Sequence, residues 1–218
     1  MDRRTTEQYR FIVEGDTEKW YLEHLQSLIN SSDSQSKVKF SITVDSTRYK
    51  SIIKSYPATV QTDYFVFRDV ESQADDDIRT FETSLKKISK ANKIRPGIRL
   101  ILGYSNLSFE VWLLLHFTCF RRPKNHANSY LKDLNKCFSL NCESIRAFKT
   151  DAVFHQALSR IGLKEVQDAC RNARELDAWN VRSNCASKVS SIKYFKYNPS
   201  TSVHLIILKI LKDNDFSI

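Results

Sequence analysis

An apolar run, Phe11-Ile12-Val13, stops on an acid and a glycine and gives way to a helix start, Glu14-Gly15-Asp16-Thr17-Glu18. A buried strand feeding a helix through so short a turn opens a β-to-α crossover, and repeated crossovers build parallel sheets covered by helices. In such sheets the C-terminal ends of the strands open onto the crevice where ligands bind. A carboxylate at that turn is placed for metal or phosphate chemistry and is not needed to hold the fold together. The plainer reading of Glu14 is an acid that only favours the start of its helix.

The pattern repeats. The first strand is expected over Tyr9–Val13, and the helix from Asp16 carries Tyr21, Leu25, Leu28 and Ile29 on one stripe, capped by Asp16 or Thr17. A Ser-rich loop, Asn30–Ser36, leads to alternating Val38–Val44, read as a strand, and to a short helix around Ser46–Ser55. The buried-looking run from Asp63 ends on Asp69, Val70 and Glu71. Asp75, Asp76 and Asp77, read as solvated first-turn acids, open a helix with Ile78, Phe81, Leu85 and Ile88 on its inner face. After the Pro96-Gly97 turn, Ile98–Tyr104 reads as another strand, and Ser105-Asn106 precedes a helix containing Phe109–Phe117. From Arg121 onward the pattern is mostly helical, at about 126–138, 150–160, 163–177 and 199–213. The expectation is an α/β fold, a parallel sheet flanked by helices, with a core over 1–118 and a helical, basic extension over 119–218 packed on it.

Length and charge fit that division. A chain of 218 residues can bury one substantial core. Residues 1–110 carry 17 Lys/Arg and 16 Asp/Glu, whereas residues 111–218 carry 17 and nine, so the net charge of +9 sits almost wholly in the second half. Such asymmetry suits a polyanion gripped by one lobe and processed by the other; a basic surface that merely aids solubility is the bland alternative. The five cysteines form no CxxC pair, and Met1-Asp2-Arg3-Arg4 does not resemble an export signal, so free thiols in a reducing cytoplasm are expected. The greasy run near Val111–Phe117 is too short to span a bilayer, so no membrane partner is expected.

Acids at strand ends are the candidate chemistry. Glu14 closes the first strand, Asp69 and Glu71 close another, and Glu110 begins the helix after a third. In an extended Asp-x-Glu segment alternate side chains point the same way, so Asp69 and Glu71 are expected to face one pocket while Val70 packs away. Three or four converging carboxylates repel unless a cation neutralises them, and hard oxygen ligands suit Mg²⁺ or Mn²⁺. Glu14, Asp69 and Glu71 are therefore the expected metal ligands, with Glu110 a fourth ligand or a proton acceptor; a surface turn and a helix-start acid are the respective alternatives. Arg68 either contacts a phosphate or pairs with one of these acids. His116, four residues after Trp112, reads as a core histidine ahead of a general base. No histidine stands at zinc-ligand spacing to a cysteine. Asn198-Pro199-Ser200-Thr201 reads as a helix start whose free N–H groups either anchor the last helix or hold a phosphate. Just before it, Lys193-Tyr194-Phe195-Lys196-Tyr197 interleaves cations and aromatics, which suits unstacked bases or one strand with a charged edge. Lys193 and Lys196 are accordingly candidate nucleic-acid contacts.

Taken together, Glu14-Gly15-Asp16-Thr17-Glu18, Asp69-Val70-Glu71, the segment from Ser105-Asn106 through Phe109-Glu110-Val111-Trp112-Leu113-Leu114-Leu115-His116-Phe117, and Asn198-Pro199-Ser200-Thr201-Ser202-Val203-His204 resemble the motif set of the RloB-like family. The resemblance covers almost the whole chain. It implies a Toprim-type core, a role in restriction or abortive-infection defence, and a separate ATPase partner. It also implies that Glu14, Asp69 and Glu71 bind Mg²⁺, as the strand-end Glu and the Asp-x-Asp pair do in Toprim proteins, and that Lys149 contacts phosphate, an exposed surface lysine being the plainer alternative. The chain departs from the family pattern at Glu71, which replaces an Asp, and at Leu107, which replaces the usual Pro. The resulting expectation is a Mg²⁺-dependent (or Mn²⁺-dependent) nuclease of an anti-phage defence system acting on RNA, tRNA included, or DNA, with homodimerisation left open. Two alternatives stand beside it: a non-catalytic module binding nucleic acid or a partner protein, and a nucleotidyl-transfer or primase-like enzyme, for which no glycine-rich phosphate loop is visible.

Overall fold

The computed structural model describes residues 6–32, 37–44, 61–94, 97–183, 186–197 and 199–216. Along the chain run β1 (Thr6–Val13), α1 (Asp16–Ser31), β2 (Lys37–Val44), β3 (Thr62–Asp69), α2 (Asp75–Asn92), β4 (Ile98–Asn106) and α3 (Glu110–Leu115). A 3₁₀ turn (Ala127–Tyr130) and the helices α4 (Leu131–Phe138), α5 (Ile145–Phe148), α6 (Asp151–Leu158) and α7 (Leu163–Arg182) follow. The described chain closes with β5 (Ala186–Val189), β6 (Ile192–Phe195), β7 (Ser200–Thr201) and α8 (Val203–Asp213). The short helix expected around Ser46–Ser55, Asn198 as a cap, Pro96, Cys185 and most of the Ser-rich loop lie outside the described residues.

The sheet has the order β2-β1-β3-β4-β7; its first four strands are parallel and β7 pairs antiparallel to β4. The fold is therefore α/β, a mostly parallel sheet flanked by helices. Both sheet faces are buried, as parallel strands require. On one face Phe11, Val13, Phe65 and Phe67 pack into a large cluster with α1, α3 and the C-terminal helices, including Phe138, Phe154, Val166 and Ile207. On the other face Ile12, Tyr64 and Val66 meet Ile88 and Ala91 of α2. Alternate residues of one strand thus serve two different layers, which explains the unbroken apolar runs. The hairpin β5–β6 completes the second layer, where Val189 and Tyr194 pack on Phe81, Leu85 and Tyr104. Among the described residues no helix is long and apolar enough to cross a membrane. Cys119, Cys137, Cys142 and Cys170 are free thiols.

The last element begins later than its sequence suggests. Ser200–Thr201, expected inside a helix start, instead form β7 against Ser105 and Asn106, and α8 starts at Val203. Hydroxyls decide this: Thr201 Oγ1 donates to the Tyr104 carbonyl at 2.9 Å and accepts the Val203 N–H at 3.2 Å, while Ser202 Oγ accepts the Tyr104 N–H at 3.0 Å. The first free N–H of α8 is thereby satisfied within the chain and does not wait for a phosphate. Nor is α1 capped by Asp16 or Thr17. Its N-cap is Gly15 without a side-chain bond, and the Thr17 hydroxyl turns to Glu18.

Candidate active site

Because β1, β3 and β4 are parallel neighbours, their C-terminal ends lie along one edge of the sheet. Glu14, one residue past β1, reaches across that edge. Its Oε2 accepts the Asp69 backbone N–H at 2.7 Å, and its Oε1 pairs with Arg68 Nη1 at 2.5 Å. Burial pushes the Glu14 carboxyl up to about 7; Arg68 and the Asp69 N–H oppose that rise, and Glu18 and Glu71 add to it. Arg68 is thus paired with an acid, one of the two roles expected of it.

Asp69, the last residue of β3, accepts the Phe109 N–H on Oδ2 at 3.0 Å. That bond fixes the turn entering α3 and with it the position of Glu110. Burial holds the Asp69 carboxyl well above the usual carboxylate range, and the charges of Glu18, Glu14, Glu110 and Glu71 act in the same direction. All four other acids are therefore close enough to Asp69 for mutual repulsion. Glu110 is fully buried; its Oε1 meets Lys149 Nζ at 2.9 Å, and its Oε2 has no hydrogen-bonding partner among the described residues. Burial works to lower the Lys149 pKa, but Glu110, Asp69 and Glu18 outweigh it and leave the ammonium group above its ordinary value.

Glu71 departs from its expected geometry. The strand ends at Asp69, and Glu71 is exposed with φ at 73°, so the simple alternation of an extended Asp-x-Glu segment does not hold. Val70 does pack inward, at 2% exposure, while the Glu71 N–H donates to the Leu107 carbonyl at 2.7 Å. The left-handed turn bends the chain around the end of β4 and keeps Glu71 within charge range of Glu14 and Asp69.

Glu18 is a member of the site that the sequence reading passed over. It is 5% exposed, its Oε2 accepts the Thr17 hydroxyl at 3.1 Å, and burial with Glu110 raises its pKa. The signal was present: four residues separate Glu14 from Glu18, and a helical side chain one turn in leans back toward the helix N-terminus, here toward the strand ends. Asn106 was passed over too. Wholly buried, it donates from Nδ2 to the Phe195 and Lys196 carbonyls at 3.1 and 2.7 Å and accepts from Gln73, tying the hairpin to the same edge. Lys196 follows β6 at this point, and Lys193 lies exposed on β6 itself. His116 is a core residue: Nδ1 meets the Trp112 carbonyl at 3.0 Å, Nε2 meets Tyr21 Oη at 3.1 Å, and burial lowers its pKa to about 4.

The edge therefore gathers Glu14, Glu18, Asp69, Glu71 and Glu110 with two cations, Arg68 and Lys149. Burial and repulsion resist full ionisation of such a group, and a divalent cation relieves both. Among the described residues no three acid, histidine or cysteine side chains stand in a ready-made metal-ligand group. The donor chemistry nonetheless fits Mg²⁺ or Mn²⁺, since all donors are hard oxygens and Glu110 Oε2 is a buried acceptor that no donor among the described residues reaches.

No curated protein and no solved structure matches the chain. A family model described as RloB-like protein matches residues 10–210, and the chain belongs to the RloB-like family.

Proposed function

We propose that this RloB-like protein is a divalent-metal-dependent nuclease with a Toprim-like core, acting in antiviral defence on RNA or DNA beside a separate ATPase. The observation that carries the reading is the meeting of Glu14 and Asp69, 55 residues apart, through the 2.7 Å bond at the sheet edge, with Glu110 buried next to them. Glu14, Asp69 and Glu71 would hold the ion, with Glu18 and Glu110 completing the donor set. Bound Mg²⁺ supplies charge that polarises a phosphoryl group and activates water.

The protein's own residues supply the rest. Arg68 keeps Glu14 turned toward Asp69, and the Asp69–Phe109 bond holds the Glu110 helix against the same edge. Lys149 Nζ, with its side chain 37% exposed, can leave Glu110 partly for a phosphate oxygen, and Glu110 Oε2 is free to accept a proton. Lys196 and Lys193 extend the positive surface along the hairpin toward a bound strand.

A second reading has its own support. Both Glu14 and Glu110 already have cationic partners within the chain, the arrangement of a charge network that organises a binding surface without chemistry. Cleavage of total RNA, tRNA and plasmid DNA in Mg²⁺ or Mn²⁺ separates the two. The nuclease reading expects divalent-dependent cleavage by wild type and a loss of about 10²–10³-fold for Asp69→Asn, the scale of removing a central electrostatic group. Binding without divalent-dependent turnover, or equal cleavage by Asp69→Asn, would favour the binding module.

A further inference from the structure

A cavity of about 550 Å³ opens beyond the C-terminal end of α3, lined by Phe117, Phe120, Arg121 and Arg122 on one side and by Asp133 and Lys136 of α4 on the other. Its size lies within the range of small-ligand sites, ~300–1,000 Å³. The charges at its mouth do not cancel. Arg121 pairs with Glu175 at 3.2 Å and Lys124 pairs with Asp133 at 2.8 Å, but neither Arg122 nor Lys136 has an ion-pair partner among the described residues. Both are exposed cations facing a common space. Phe117, one of the exposed large apolar side chains at 36%, stands beside them, its ring edge-on to Phe138 at 5.0 Å. Two free cations beside an accessible aromatic ring match an anion that carries a flat ring.

The cavity is linked to the acidic edge by two short routes. Helix α3 starts at Glu110 and Phe117 lies seven residues on, about 10 Å by helical rise. The segment between the cavity and the 3₁₀ turn comes back past the acids, where His126 bridges to Ser72, the neighbour of Glu71. Along it stand Arg121, Arg122, Lys124 and His126. Helix α3 itself is buried, so the surface path between the acids and the cavity follows this basic segment, on which Arg121, Arg122 and His126 are exposed.

We propose that this cavity is a nucleotide-binding subsite, in which Arg122 and Lys136 hold a phosphate and Phe117 stacks the base. The occupant is a nucleoside phosphate, either one unit of a polynucleotide crossing the acidic edge or a free mononucleotide. The first source rests on the nuclease reading; the second does not.

Fluorescence anisotropy of a labelled 12-nucleotide single-stranded RNA in EDTA, where no cleavage occurs, tests the site. Unlabelled AMP, followed by calorimetry, gives the second arm. The Arg122→Ala/Lys136→Ala double variant is expected to weaken RNA binding tenfold or more and to lower the slope of log affinity against log salt by about 0.7, the value for the one phosphate that both side chains hold. Phe117→Leu, which keeps the apolar packing, is expected to weaken it at least fivefold through lost stacking. RNA binding more than tenfold tighter than AMP, and weakened in the double variant, assigns the cavity to a polynucleotide; AMP binding as tight, and lost in the double variant, assigns it to a free nucleotide. If both variants keep wild-type circular dichroism and bind RNA and AMP as wild type does, the subsite is wrong. Asp69→Asn is run in parallel: its loss of cleavage reports on the acidic edge alone, so failure of the subsite and failure of the nuclease reading give different patterns.

Discussion

Glu71 shows how a single residue can be legible in kind and illegible in geometry. An acid at this position follows from the strand-end rule, but its left-handed backbone depends on the Leu107 carbonyl, which only the folded chain brings to its N–H. A non-glycine residue in that region costs about 1–2 kcal/mol. Glu71→Gly relieves that cost, offset by roughly 0.4–1 kcal/mol of added freedom in the unfolded chain. The variant should unfold at the same urea midpoint as wild type or slightly higher, yet lose divalent-dependent cleavage. A clear fall in the midpoint would mean that the Glu71 side chain supports the fold. Glu18 was missed for the opposite reason: its residue type was visible, but it was read as part of a helix start and not as a group aimed back at the strand ends. His116 was legible from its spacing to Trp112. Buried and neutral, it takes up no proton until about pH 4, whereas the unfolded chain binds one below about 6.5. The unfolded state then holds more protons, so this residue's share of stability is present above pH 6.5 and lost as pH falls toward 4, by about 1.4 kcal/mol per unit. The stability of His116→Gln should accordingly depend less steeply on pH over that window than that of wild type, measured by urea unfolding; parallel profiles would contradict a neutral core His116.

Elements with long apolar periodicity were readable because each strand or helix buries a whole face. Ile78, Phe81, Leu85 and Ile88 all pack inward as their spacing requires. The short elements were not. Hairpin strands of four residues offer too few alternations to distinguish an edge strand from a loop, and only Lys193–Tyr197 hinted at one. Residues 200–201 carry a local helix-start signature that tertiary partners override: the β4 edge needs their backbone, and the Tyr104 peptide needs the hydroxyls of Thr201 and Ser202. Thr201→Val keeps the shape but removes an acceptor for the Val203 N–H and a donor to the Tyr104 carbonyl, both buried. A loss of about 1–3 kcal/mol in urea unfolding is expected. No measurable loss would mean that β7 is held by its backbone pairing alone.

At the scale of the whole molecule, the sequence's division at 118/119 describes charge better than packing. Positive excess belongs to the second half, but a single hydrophobic cluster takes residues from both, from Phe11 and Phe67 to Phe154 and Ile207. The C-terminal part also lends β7 to the sheet and the hairpin to its second layer. That packing brings Lys149 and Lys196 to an edge built by the first half, where five acids already gather. Parallel strand order places these acids together; the repulsion among them is what a divalent cation would relieve. Titration of Mn²⁺ into metal-free protein near neutral pH, read by electron paramagnetic resonance of the free ion, addresses this directly. A saturable site in wild type that weakens at least tenfold in both Glu14→Gln and Asp69→Asn is the predicted result. No saturable binding by wild type, or equal binding by all three proteins, would contradict it.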